Sequence, residues 1–454
     1  MKFLPSLNGV APVFSQRLFW WDYAFGFVLL LGCFFAFFHI DIYLIGQDAV
    51  SMLFGDVLSF YDNAADFRGA YQNYPVFVYA ILGLWMLPLK LFGVLTGPDT
   101  FSMEMVYWLK LLTSLVYVLM CVVFYRITCV YSSHTAWCKF ATAVCAVAPM
   151  GLFSQFLFSQ VDIFYVTLSL VGFLMFLRGR LRWASAAFGM AMAFKYFPAF
   201  VFVPLLLLFE KRLANLLVSV VIFLAPTAFV HVLYRNSPAF AEGVSGFNVL
   251  EKLYAFPFAV GGFQVFPLFA LFVALCCVVY LANVSRERLP RVAAYVYVVA
   301  AAMPFIVFMP HPQWLLFVTP PMALVMLLNQ RPERFLCLDI LGMLIFLSIT
   351  WINYPNGVDI GMQHFSLFGV NIPTESRSFG EILRNFGPIP FKTTAWAFKI
   401  YLLLFLIGNF SVIKASSIHL RINYHHVRLR MLAGVLLYAL PVLGLLCFDV
   451  FVGR

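Results

Sequence analysis

The chain has 454 residues, 63% of them hydrophobic and 11% charged, with a formal net charge of +10. Soluble domains carry roughly 25% charged residues, and apolar runs of about 17–25 residues recur here along almost the whole length. Together these exclude a soluble globular enzyme and a soluble domain on a single anchor. The charge does not point to nucleic acid, because the basic residues stand in short clusters between apolar runs, the positive-inside pattern of membrane proteins. Those clusters (Lys2 and Arg17, Arg126 to Lys139, Arg178 to Arg182, Lys211-Arg212, Arg286 to Arg291, Arg331 to Arg334, Lys414 to Arg430) read as cytoplasmic.

The first apolar run follows a polar start with no small-residue cleavage site, so it reads as a retained signal anchor. Just past it lies His39-Ile-Asp41. A carboxylate costs about 2.5–3.5 kcal/mol at the centre of a membrane helix and less near its edge. Acids continue through Asp48, Asp56, Asp62 and Asp66 to Tyr74-Pro75, so residues 41–74 read as an external acidic loop suited to chemistry on a membrane-borne substrate. Asp41 and Asp48 compete there for the role of base; the plainer reading of Asp41 is a solvated acid at the end of a span. Residues Pro75 to Leu95 read as a re-entrant or interfacial helix, which keeps the later basic clusters on one side.

Ser159-Gln160-Val161-Asp162 joins two spans on the outer face. Taken alone, the Asp162 carboxylate reads as an N-cap of the next helix, and Gln160 as a side chain bonded to nearby backbone. About 27 mostly apolar residues, 183–209, have cytoplasmic signals at both ends. That is too short for two crossings at about 1.5 Å rise per residue. The segment reads as a re-entrant broken hairpin, with Pro198 stopping the helix and Lys195 at its apex. A break at membrane depth survives only where protein or a water-filled cavity satisfies the backbone, so Lys195 is expected to face a polar cavity rather than snorkel to the interface.

His311-Pro-Gln313-Trp314 joins two further spans, again outside. His311 by itself also fits an interface histidine, and Trp314, Trp351 and Trp20-Trp21 fit an aromatic belt. Residues 353–394 form an external loop containing Arg377 and Arg384, and His419 to Arg428 reads as a cytoplasmic interfacial stretch holding anionic lipid. The nine cysteines show no Cys-x-x-Cys and read as reduced. The whole, 1–454, is one all-α polytopic membrane domain with about eleven full spans plus re-entrant helices.

Ser159-Gln160-x-Asp162, Lys195-x-x-Pro198 and His311-x-Gln313-Trp314, in that order and after an acidic stretch ending in Tyr74-Pro75, resemble the spaced motifs of the GT-C superfamily of integral membrane glycosyltransferases. Within it they are similar to the lipid-linked mannosyltransferases, which include GPI mannosyltransferase I and bacterial polyprenyl-phosphate-mannose-dependent enzymes. The resemblance runs over roughly residues 20 to 330. Two positions depart from it: His39-x-Asp41 stands where Asp-x-Asp is common, and Tyr74-Pro75 is followed by Val76 rather than a second proline.

The resemblance implies an inverting transfer of a hexose, mannose favoured, from a polyprenyl-phosphate-sugar donor to a hydroxyl of a glycan or lipid acceptor. It implies Asp41 (or Asp48) as base, Lys195 and His311 at the donor phosphate, Gln160 and Gln313 at the donor sugar, and Asp162 and Tyr74 in the same phosphate- and sugar-binding site. Neither a metal nor another cofactor is expected, since no second acid is placed to complete a metal site. The site would face the non-cytoplasmic side of a bacterial plasma membrane, or alternatively of the endoplasmic reticulum. Two other readings remain: a transporter or lipid flippase, which also uses intramembrane charges and broken helices, and an O-antigen-type polymerase or ligase.

Overall fold

The computed structural model describes residues 13–14, 20–69, 72–245, 257–308, 311–353, 391–415 and 421–452. The 353–394 loop expected from sequence lies almost wholly outside them. The helices in chain order are α1 (Trp20–Ala36), α2 (Ile40–Phe54), α3 (Phe60–Arg68), α4 (Val76–Leu91), α5 (Met105–Tyr131), α6 (Thr135–Ala146) and α7 (Pro149–Leu152). After a π-helical turn, Phe153–Leu157, come α8 (Ile163–Leu177), α9 (Leu181–Met192), α10 (Pro198–Phe209), α11 (Leu213–Leu233) and α12 (Pro238–Phe240). The series ends with α13 (Pro267–Leu281), α14 (Leu289–Val307), a 3-10 turn Pro312–Phe317, α15 (Thr319–Leu328), α16 (Pro332–Asn353), α17 (Phe391–Asn409) and α18 (His425–Val452).

Five helices are long and apolar enough to cross a membrane, and two pairs bent at short breaks raise that to seven among the described residues. The bent pairs are Ala24–Ala36 with Ile40–Phe54, at 69°, and Thr135–Ala146 with Pro149–Leu157, at 55°. Shorter apolar helices such as Ile163–Leu177 and Pro198–Phe209 fill the interior. Length alone thus supports fewer crossings than the roughly eleven expected, because several expected spans are helices too short to cover about 30 Å of hydrocarbon by themselves. Residues 41–74 fold mainly as α2 and α3 rather than as a loop; in α2 the apolar residues Ile42, Ile45, Ala49, Val50 and Met52 are buried.

α5, α8 and α9 pack in succession, and α11 packs on the outer side of α9. Close approach there depends on small residues: a Cβ on Gly189 would sit 2.4 Å from the Phe223 carbonyl oxygen, so the α9–α11 crossing needs glycine.

Helix ends, buried or at the surface, leave carbonyls without intrahelical partners. Lysines from neighbouring elements supply donors. Lys90 Nζ donates to Leu53 O at the end of α2 (2.8 Å), Lys211 Nζ to Val279 O and Tyr280 O at the end of α13 (3.0 and 2.6 Å), and Lys399 Nζ to Val307 O at the end of α14 (2.7 Å). Each also places a cation where the helix dipole is negative.

Two ion pairs fasten the last helix. Arg428 bonds Asp22 of α1 at 2.7 Å, so within the basic 419–428 stretch this arginine is engaged by protein rather than available to lipid. Arg430, fully buried, bonds Asp339 of α16 at 2.6 Å. Removing one partner of a buried pair strands the other charge, at a cost of about 3–5 kcal/mol. Asp339→Ala should therefore lower the thermal unfolding midpoint of the detergent-purified protein sharply. The double replacement Asp339→Leu with Arg430→Met should recover most of the loss.

Candidate active site

The site forms where four helix breaks meet. The first separates α1 from α2 at Phe37–His39. His39 is the N-cap of α2: its Nδ1 accepts from the Asp41 backbone N–H at 3.2 Å. Asp41 therefore falls in the first turn of α2, where the helix dipole favours a carboxylate. Its side chain keeps 39% of its surface exposed. The His39 ring stacks on Phe158 at 4.2 Å, and the His39 N–H donates to Phe158 O at 3.1 Å, tying this break to the second one.

The second break, Phe158–Asp162, follows the π-helical turn. Buried Ser159 adopts φ +60°, a left-handed conformation that costs an L-residue about 1–2 kcal/mol. Such strain is often held at functional segments. It brings Gln160 toward α2, where Gln160 Nε2 donates to Asp41 Oδ2 at 3.1 Å. Gln160 thus meets a catalytic candidate, not simply nearby backbone. Asp162 has helical dihedrals and makes no side-chain cap bond, which overturns its reading as an N-cap.

The carboxylate of Asp162 instead takes Lys195 from the third break, residues 193–197 between α9 and α10. Lys195 Nζ lies 2.6 and 2.9 Å from the two Asp162 oxygens, with 13% and 0% of the respective side chains exposed. Pro198 opens α10 and holds this break. Four rings surround the ammonium: Tyr74, Tyr165, Phe197 and Trp314, with centroids 5.2–6.0 Å from Nζ. Lys195 does not snorkel; a carboxylate and aromatic faces hold its charge inside the bundle.

The fourth break carries His311, whose ring lies 4.5 Å from that of Trp314. Trp314 is buried against Phe197 and Phe308, so it is a wall of the site and not part of an aromatic belt. Asp162, Lys195 and His311 all lie within electrostatic reach of Asp41. The side chain of Gln313 lies outside the described residues.

Asp41, Gln160, Asp162, Lys195, Tyr74, His311 and Trp314 thus gather in one place, although Asp41 and His311 are far apart in sequence. Asp48 does not join them. It lies about 10 Å further along α2, buried, in the surroundings of Tyr61. Tyr165 escaped sequence reasoning, and the sequence shows His39 only as the neighbour of Asp41, without its capping role. The available signal for Tyr165 was its position three residues after Asp162, which puts both on one helix face.

Among the described residues, two buried polar atoms here have no hydrogen-bond partner: Gln160 Oε1 and the Tyr165 hydroxyl. Buried polar groups are nearly always satisfied, so both are open to a polar ligand.

The model of glycosyltransferase family 87 matches residues 74–310, slightly more than half of the sequence and all of the site except the α1–α2 break and the 3-10 turn with His311 and Trp314. The chain belongs to glycosyltransferase family 87. It is a membrane glycosyltransferase, in line with its resemblance to the GT-C enzymes, and the family decides for an enzyme over a transporter. Among solved structures it is similar to ArnT from Cupriavidus metallidurans. The form bound to undecaprenyl phosphate matches at 15% identity and a TM-score of 0.46, the apo form at 14% and 0.48; each match covers 94% of this chain and 76% of that one. No curated protein matches the sequence.

A hydroxyl without a partner in the ligand-free protein contributes little to folding, but contributes to binding if a ligand bonds it. Tyr165→Phe should leave the unfolding midpoint near wild type and raise the donor KM roughly tenfold, the loss of about one hydrogen bond's worth of affinity. Thermal unfolding and steady-state transfer assays on the same preparation check both halves.

Proposed function

We propose that the protein transfers a hexose, mannose by its sequence resemblance, from a polyprenyl-phosphate-sugar donor to a hydroxyl of a glycan or lipid acceptor, with inversion, on the non-cytoplasmic face of a bacterial plasma membrane. The observation that carries this reading is the side-by-side placement of a partly exposed carboxylate, oriented by Gln160, and an ammonium embedded among aromatic rings. One suits the removal of a proton, the other the binding of a phosphate.

Lys195 has three N–H donors. Asp162 takes two, and the third is available to a phosphate oxygen of the donor. The polyprenyl tail lies among the apolar helices. Gln160 Oε1 and the Tyr165 hydroxyl bond sugar hydroxyls. Asp41 accepts the proton of the acceptor hydroxyl as that oxygen forms its bond to the anomeric carbon from the face opposite the phosphate. The bond from the anomeric carbon to the phosphate oxygen breaks, and polyprenyl phosphate leaves with the electron pair. One displacement inverts the anomeric centre. General-base help of this kind contributes typically 10²–10⁴-fold.

No divalent cation is required in this scheme. Both Asp162 oxygens are engaged by Lys195, so an ammonium stands where a metal would otherwise balance that carboxylate.

Asp41→Asn is isosteric and keeps the α1–α2 break. It should lower turnover at least about 100-fold while the enzyme still binds the donor, measured with polyprenyl-phosphate-mannose and an acceptor extract in detergent. Turnover near wild type would show that Asp41 is not the base, and Asp48→Asn is then the variant to measure. Preincubation with EDTA should leave transfer unchanged. A loss restored by Mg²⁺ or Mn²⁺ would overturn the metal-independent scheme.

A further inference from the structure

We infer that Lys110, on α5, is a positioning residue that sets the aim of Asp41; the inference rests on the reading of Asp41 as the general base. Lys110 is 2% exposed. Its ammonium donates to the carbonyl of Phe34 and, at 2.6 Å, to that of Phe37. The rings of Phe34, Phe38 and Tyr107 lie 4.9, 5.9 and 5.8 Å from it.

In an uninterrupted helix the Phe37 carbonyl would accept from the N–H of Asp41, four residues on. Both ends of that bond are diverted here. The carbonyl is taken by Lys110, and the Asp41 N–H by His39 Nδ1. Lys110 and His39 together replace one of the helical bonds that would straighten the chain through Phe37–His39; the His39 N–H, given to Phe158 O, and the Ile42 N–H, given to His39 O, are diverted as well. Without the ammonium, two carbonyls in apolar surroundings would lack donors, and the cheapest remedy is to re-form that bond. The 69° bend between α1 and α2 would then relax, and the first turn of α2 would swing Asp41 away from Gln160.

Lys110 touches neither Asp41 nor the rings around Lys195. Its effect on the reaction therefore passes through the geometry of the break. A misplacement of about 1 Å costs up to roughly 100-fold in rate, whereas the donor phosphate is held on other elements. A residue that merely stabilised the fold would lower the unfolding midpoint and leave turnover per folded molecule unchanged.

The test uses the full-length enzyme in detergent, with turnover and donor KM expressed per folded molecule after size-exclusion chromatography. Lys110→Met should lower kcat roughly 10- to 100-fold with donor KM near wild type, and Lys110→Arg, which can still donate to both carbonyls, should recover most of the rate. If Lys110→Met does not accumulate as folded protein, Lys110→Gln is measured against the same criteria. Wild-type kcat per folded Lys110→Met or Lys110→Gln enzyme, alongside an inactive Asp41→Asn, overturns the positioning role and leaves the general-base reading standing. An active Asp41→Asn overturns that reading, and the inference with it.

Discussion

An apolar bundle cannot leave a peptide carbonyl without a donor, and the organisation of this enzyme follows from how it meets that demand. Every helix that stops inside the bundle exposes its last carbonyls. Lysines from other elements reach across to them at the ends of α1, α2 and α14. Each such contact permits a helix to end where it otherwise could not. The ends in turn are where polar side chains gather. His39 and Asp41, Gln160 and Asp162, Lys195, and His311 all stand at or beside breaks between helices, and none lies in mid-helix.

The second requirement is charge compensation. A buried ammonium and a buried carboxylate are each costly, and their attraction offsets the loss of water only with close geometry and further partners. Lys195 and Asp162 meet that condition with both carboxylate oxygens within hydrogen-bond distance and four rings around the cation. Asp41, outside the pair, keeps its access to solvent and substrate. Two acids of one site thus differ in setting: one is neutralised by a lysine and the other is left open.

Hydropathy and the scatter of basic clusters made the membrane class legible, and the order of short motifs made the enzyme class legible. A helix break ahead of Pro198 was legible because proline acts locally. The same local reasoning failed at Asp162, where an N-cap was the better reading of a single carboxylate and a lysine from another helix took it instead. It failed at Trp314, since a tryptophan near a helix end looks the same from sequence whether it faces lipid or a cavity. It had nothing to say of Lys110, whose partners lie more than seventy positions away on α1. Span counting from charge parity rests on apolar length, and several of the expected spans are helices of only 10–17 residues among the described residues, which length by itself does not assign to full crossings.

The final helix gives the architecture a temporal order. Tyr438 of α18 meets the rings of Phe37, in the α1–α2 break, and Phe153, in the π-helical turn, at 5.9 and 5.2 Å. The backbone at Val13–Phe14 pairs in parallel with Arg421–Ile422. The α1–α2 break and the π-helical turn are thus propped by a helix that lies far downstream of both. A nascent chain entering the bilayer carries most of the site's side chains well before it holds the helix that props two of the breaks.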